Sequence, residues 1–503
     1  MHTYNNGSQE GQSALKITGG NSMSQDLHNN YINGEWVGSS EIIENISPSD
    51  TSDIIGHYAK ASNADCLNAI SAANAAFEGW SQSALEQRKT VLDFIGAELI
   101  ARSGEIGEIL AREEGKTRAE GVGEVYRSGQ FFQYYGAEVL RLMGENTQSV
   151  RPGVDVEVHR EALGVIGIVT PWNFPMAVAA WKVAPAIAYG NAVVLKPAEL
   201  VPGSAWILAD IISRSGLPAG VFNLVMGSGR DVGETLCTSP DIQAVTFTGS
   251  VGVGRHIARN AIDNMARVQL EMGSKNALVV LDDADLDTAV QCAVAGAYFG
   301  TGQKCTASSR IIVQAAIHDR FVEKMTEAVS KLVVGHALAE GAQIGPVVDG
   351  RQLQQNLDYM QIAKDEGAEL VLGGEALTMD TEGFYMSPAL FVNTNNQMRI
   401  NREEVFGPIA CVIKVDSYEE ALEVSNDSDF GLTSGIITNS LANAGHFKRH
   451  SKSGCVMVNL PTAGTDYHVP FGGRKNSSYG PREQGQYARE FYTIIKTNYS
   501  KPY

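Results

Sequence analysis

A doubly wound α/β protein of more than one domain is the fold class that this sequence predicts, and three observations predict it. Four short β-rich runs, GVIGIVT (164–170), NAVVLKPAE (191–199), GVFNLVMG (220–227) and IQAVTFTGS (242–250), alternate with helical stretches such as MAVAAWKVAPAIAYG and GSAWILADIISRSG. Such alternation builds parallel sheets covered on both faces. A second α/β series starts near residue 276, with ALVVL, RIIVQ, ACVIKV and SGIITN as its strands. The 503 residues exceed what one compact core sustains, so two or three domains are expected.

In chain order, residues 1–26 are rich in Gly, Ser, Asn and Gln and predict a disordered tail; they lack the apolar stretch of a secretory signal. YINGEWV, with Asn-Gly between alternating residues, predicts two strands around a turn. Residues 64–142 read as helical. NADCLNAISAANAAFEGW sets Cys66, Ile70 and Phe77 near a 3.6-residue period behind an Asn/Asp cap. The two strand series follow, without an internal repeat.

Composition narrows the function. A hydrophobic share of 44% and a charged share of 19% describe a soluble globular protein. A formal charge of −18 argues against a nucleic-acid surface, although it is compatible with a local cationic pocket. The six cysteines form neither CxxC pairs nor metal-ligand spacings, so neither a disulfide framework nor a metal site is expected, and a cytoplasmic location fits. No apolar run is long enough to span a membrane.

Cys305 lies in GTGQKCTASSR (300–310). Alone, a free cysteine is more often an inert small hydrophobe than a nucleophile. Here Gly300 and Gly302 allow close approach of the backbone to a ligand, and Lys304 adds charge that favours a thiolate. Glu271 in LEMGSKN (270–276) reads either as a solvent-facing strand end or as a general base whose pKa a partly apolar pocket raises. Asn173 in PWNFP (171–175) is a turn residue or an oxyanion donor. KPAE (196–199) ends a strand, where open α/β sheets bind nucleotides; Lys196 suits a ribose hydroxyl or phosphate and Glu199 the adenine ribose hydroxyls. FTGSVGVG (247–254) joins strand to helix as a phosphate cradle, with GxxGxG spacing rather than GxGxxG.

Taken together and in order, PWNFP, KPAE, FTGS with Gly254, LEMGSKN, GQKC, EEVFGP (403–408) and PFGGRKNSSYG (470–480) resemble the aldehyde dehydrogenase superfamily over about residues 30–500. The resemblance implies a Rossmann-type cofactor domain (27–145 and 163–274), an α/β catalytic domain (275–470) and β oligomerisation elements at 146–162 and 490–500. It implies that Cys305 attacks an aldehyde, that Asn173 and the Cys305 N–H stabilise the oxyanion, and that Glu271 activates the water that hydrolyses the thioester. Relatives that pass the acyl group to coenzyme A usually lack that glutamate. Lys182 and Glu483 match positions proposed to relay protons; a solvated surface pair is the other reading. For the cofactor, Glu404 and Phe406 are implied at the nicotinamide ribose, Gly249, Ser250 and Gly254 at the pyrophosphate, and Trp172 along the cleft. Glu199 favours NAD, with NADP possible. Homodimers or homotetramers are implied.

The helix EVYRSGQFFQYYGAE (124–138) matches one that lines the substrate tunnel in the family. Arg127, Phe131 and Tyr134 share a face of it. Arg127 is either a solvent-facing arginine or a bidentate partner for a substrate carboxylate. Phe174, Ala177, Trp181, Phe299, Lys304 and Phe471 complete the expected substrate set. The closing stretch NLPTAGTDYHVPFGGRKNSSYGPREQG is similar to 2-oxoglutarate semialdehyde (2,5-dioxopentanoate) dehydrogenases, with succinate and glutarate semialdehydes as alternative substrates. A non-enzymatic binding protein on the same fold is a third reading. A fourth is a cysteine hydrolase, which needs a histidine at the thiol; His468 is the candidate.

Overall fold

The computed structural model describes residues 27–502. The expected tail at 1–26 lies outside the described residues. An eight-stranded sheet runs in the order Ser478–Tyr479, Arg267–Glu271, Ala244–Thr248, Val165–Val169, Ala192–Lys196, Phe222–Leu224, Asn30–Ile32, Glu35–Val37. Its five central strands are parallel, and antiparallel strands close both ends. Strand order reverses beside Val165–Val169: the chain adds two strands on one side, then crosses to add Ala244–Thr248 on the other. A crevice therefore opens at the carboxyl ends of Val165–Val169 and Ala244–Thr248, where doubly wound sheets hold ligands.

Alternate residues of these strands feed two separate cores. Ile166, Ile168, Val193 and Leu195 pack on one face, while Val165, Val194, Val245 and Phe247 pack on the other. That two-sided burial is why the strands read as nearly continuous apolar runs. A second, seven-stranded sheet is built the same way from Glu369–Leu372, Ala389–Thr394, Ile409–Val415, Ser308–Gln314, Asn276–Val280, Thr433–Ile437 and Cys455–Val458. Its neighbours are all parallel except the first pair.

The Asn-Gly turn forms as expected, with Asn33 at φ 54° and Gly34 at φ 82° between paired strands. The helix Asn63–Ser81 is capped by Ser62, one residue before the Asn/Asp expected, through a reciprocal capping box with Asp65. A three-stranded sheet holds Thr493–Ser500, Asp155–Ala162 and Glu145–Gln148, so the C-terminal strand pairs along its length with the flap of its own chain. Phe471 and Glu483 bridge by two backbone hydrogen bonds and lead the chain back to the first sheet at its C-terminal end. Among the described residues no helix is long and apolar enough to cross a membrane.

Candidate active site

Two cavities meet at Cys305. One is lined by Trp172, Asn173, Thr248, Gly249, Ser250, Glu271, Glu404 and Phe406. The other is lined by Lys116, Arg127, Phe131, Ala177, Lys304 and Gln484. Phe174, Trp181, Phe471 and Cys305 belong to both. The first cavity opens at the crevice between the reversed strands, so sheet topology alone brings segments near 172, 249 and 271 together.

The nucleophile loop is held by backbone packing. A Cβ on Gly302 (φ 66°) would lie 2.1 Å from the Gly407 carbonyl oxygen, so this glycine serves the contact with the EEVFGP turn rather than an approach to ligand. Asn276 Nδ2 donates to the carbonyls of Cys305 and Ala307 at 2.8 and 2.9 Å. Burial, followed by the Glu271 and Glu404 carboxylates, pushes the Cys305 thiol up to about 12; its own N–H works the other way. Lys304 does not offset this: its ammonium turns back to donate to the Ala295 carbonyl at 3.1 Å, and burial lowers it to about 8, with the Glu120 carboxylate and Cys305 acting the other way.

Glu271 ends the strand Arg267–Glu271 and is 3% exposed, which removes the solvent-facing reading. Ser478 Oγ donates to its Oε2 at 2.6 Å. Burial first, then the Glu483 carboxylate, raise it to about 8, against Ser478, Lys182 and Arg482. Lys182 and Glu483 form an ion pair with no exposure at all, so the solvated-pair reading also falls. Lys182 further donates to Thr246 Oγ1 at 2.7 Å, and the second Glu483 oxygen has no partner among the described residues.

Asn173 is 6% exposed and donates one amide N–H to the Gln303 carbonyl at 2.9 Å; its side chain carries a second N–H. Its own carbonyl accepts from Lys116 Nζ at 2.7 Å. Lys116 pairs with Glu124 at 2.6 Å and lies over the Phe174 ring at 4.1 Å. The other Glu124 oxygen accepts from the N–H groups of Met176 and Ala177 at 3.0 and 3.1 Å. Glu124 thus supplies the cap that helix Pro175–Ala188 lacks from its own Phe174. Lys116, Glu124, Asn276 and Ser478 escaped the sequence reading because each acts through a residue distant in the chain.

Glu404 accepts from the Ser274 N–H at 2.7 Å, and burial raises its carboxyl to about 7. Phe406, in a left-handed backbone (φ 62°), meets Trp172 edge-on at 5.3 Å. Ser250 caps helix Val251–Asp263, and the buried Thr248 hydroxyl beside it has no partner among the described residues. A cleft that ends on a helix N-terminus and an orphaned hydroxyl fits a phosphate-bearing cofactor. Gly254 stands apart: a Cβ there would lie 2.5 Å from Met272 Sδ, so it serves helix–strand packing and does not line the cleft. Lys196 and Glu199 also lie outside the cavity lining. The Lys196 ammonium bonds the Pro197 carbonyl at 2.9 Å, and Glu199 is exposed.

On the other side of Cys305, Arg127 is partly buried with its guanidinium over the Tyr467 ring at 5.4 Å, and no carboxylate of the described residues pairs with it. Trp181 packs against Phe131 and Phe471 at 5.9 and 5.7 Å. Phe299 does not join them: the 3-10 turn Phe299–Gly302 directs it to a separate surface hollow with Val290, Val294 and Lys331. His468 is exposed and lines neither cavity, which leaves the hydrolase reading without its base.

Residues 36–498 match the aldehyde dehydrogenase family. The chain belongs to that family. Its reaction class is therefore that of an aldehyde dehydrogenase, the oxidation of an aldehyde. Among its relatives, an alpha-ketoglutaric semialdehyde dehydrogenase of Bacillus subtilis is 41% identical over 482 residues, 95% of this chain and 99% of the relative. A 2,5-dioxopentanoate dehydrogenase of Saccharolobus solfataricus is 37% identical over 469 residues, 92% and 98% of the two chains. The crystal structure of a betaine aldehyde dehydrogenase from Staphylococcus aureus in complex with NAD+ superposes with a TM-score of 0.92 at 32% identity, over 94% of each chain. An NAD-dependent aldehyde dehydrogenase from Sinorhizobium meliloti gives the same TM-score and identity over 95% of each chain.

Proposed function

We propose that this chain oxidises 2-oxoglutarate semialdehyde to 2-oxoglutarate with NAD. The observation that carries the reading is Arg127, an arginine without a carboxylate partner in the cavity that ends at Cys305. A guanidinium there suits a distal carboxylate, and the relatives named above are consistent with a semialdehyde of a 2-oxo acid.

Ionised Glu271, whose carboxylate acts on the thiol, takes the Cys305 proton and passes it to the Lys182–Glu483 pair. Sγ then attacks the aldehyde carbon, and the oxyanion that forms is met by the free Asn173 amide N–H and the Cys305 backbone N–H. Attack is needed first because an aldehyde carbon is a poor hydride donor until it becomes tetrahedral. A bound nicotinamide supplies hydride acceptance, and Glu404, Phe406, Trp172, Thr248, Gly249 and Ser250 are the residues to hold its dinucleotide. The thioester on Cys305 is then hydrolysed by water that gives its proton to Glu271, and the Lys182–Glu483 pair carries that proton onward. Glu199 is the residue we assign to the adenine ribose hydroxyls, a carboxylate that would repel the extra phosphate of NADP. The first sheet serves the cofactor and the second the nucleophile. The free edge of Thr493–Ser500, with Ile494, Ile495 and Tyr499 exposed, serves self-association.

Replacing Arg127 with alanine tests the substrate. KM for an acidic semialdehyde should rise far more than KM for propanal; an equal rise in both would remove the carboxylate clamp. Release of free acid without coenzyme A tests the hydrolytic half, and acyl-CoA as the required product would contradict it. A higher kcat/KM with NADP than with NAD would overturn the cofactor assignment.

A further inference from the structure

Gln484 is a buried amide with nothing to bond. It lines the substrate-side cavity with Arg127, Trp181 and Phe471 and is 1% exposed. Neither its amide nitrogen nor its amide oxygen has a hydrogen-bond partner among the described residues. Buried amides are almost always paired, and leaving one unpaired destabilises the fold. Its backbone adds to that cost: φ 63° and ψ 167° fall in a region that is essentially reserved for glycine.

The neighbours impose this conformation. Glu483 exchanges two backbone hydrogen bonds with Phe471, at 2.8 and 2.9 Å, and its side chain is locked to Lys182. On the other side the Gly485 carbonyl accepts from Tyr135 Oη at 3.0 Å, and a Cβ on Gly485 would lie 2.7 Å from the His468 carbonyl oxygen. Both flanks being fixed, residue 484 is held in place whatever its own preference. Nothing in the fold calls for a glutamine there.

We infer that Gln484 determines specificity by bonding the 2-oxo oxygen of the substrate, an inference that rests on the function proposed above. Glutarate semialdehyde and 2-oxoglutarate semialdehyde have the same length and the same terminal carboxylate; they differ by one methylene exchanged for a carbonyl. Arg127 meets the carboxylate of both, so it cannot tell them apart. An amide N–H that pairs with the ketone oxygen can, because the methylene analogue leaves that buried amide unpaired. The indole N–H of Trp181, which lines this cavity, also lacks a partner among the described residues and is the competing donor.

The test is the ratio of kcat/KM for 2-oxoglutarate semialdehyde over glutarate semialdehyde, measured with the full chain and NAD. Gln484→Met keeps the length and removes the hydrogen bonds. Gln484→Gly removes them too and accepts the backbone, so it folds even if the methionine variant does not. The ratio should fall by about tenfold or more in both variants. An unchanged ratio would overturn the role of Gln484 and leave Trp181 as the donor. The wild-type ratio is a separate readout: a value near one would remove the proposed substrate itself, and this inference with it.

Discussion

Burial sets the chemistry of single residues here. Glu271 is held near 8, so much of it is protonated at neutral pH, and a base must be ionised to accept a proton. The hydrolytic rate should therefore climb with pH through about 8. In Glu271→Gln that limb should vanish, leaving a burst of one reduced cofactor per subunit in stopped-flow absorbance. Stability follows from the same shift. A carboxyl raised above its unfolded value favours the fold at low pH, and that contribution is lost as pH rises through the folded value. Glu271→Gln should thus gain more in Tm at pH 9 than at pH 6, measured by calorimetry. Asn173→Ala removes one oxyanion donor, and kcat should fall by about a hundredfold to a thousandfold, equivalent to about 2.7–4 kcal/mol. Cys305, Glu271 and Asn173 were legible as residue types in motifs. Their environments were not, because the carboxylates around the thiol, Glu271 and Glu404, and the Ser478 hydroxyl on Glu271 come from segments distant in the chain, and the Lys304 ammonium turns back to the Ala295 carbonyl.

At the scale of elements, the site is held by contacts between loops and helix ends. Lys116 and Glu124 join the start of helix Pro175–Ala188 to the Asn173 carbonyl while almost wholly buried. Lys116→Met leaves a buried carboxylate unpaired, which costs about 3–5 kcal/mol. Chemical denaturation should show that loss, and kcat should fall with it as Asn173 loses its hold. Gly302→Ala is expected to be inactive even where folded, because its Cβ would strike the Gly407 carbonyl and displace Cys305 from the Glu404 turn. Circular dichroism beside an activity assay separates those outcomes. Most strands and helices could be read from periodicity, because two-sided burial writes continuous apolar runs. Arg267–Glu271 was expected only as a strand ending at Glu271, and Cys455–Val458 was missed because it is only four residues long. Phe299 was misplaced because two left-handed residues, Gly300 and Thr301, turn the chain between it and Cys305.

For the whole molecule, two parallel sheets meet across a cleft, and the nucleophile stands where the cofactor side joins the substrate side. Order along the chain carried the family resemblance, whereas the joining of the cavities is a property of topology that no motif states. The exposed apolar edge of Thr493–Ser500 should close in an oligomer: Ile495→Lys should lower the mass seen in light scattering, with activity per subunit retained. The central claim is the identity of the aldehyde. Its most direct test is kcat/KM with NAD across 2-oxoglutarate, glutarate and succinate semialdehydes and propanal. The highest value should belong to 2-oxoglutarate semialdehyde and the lowest to propanal; propanal equal to or above the acidic semialdehydes would contradict the assignment.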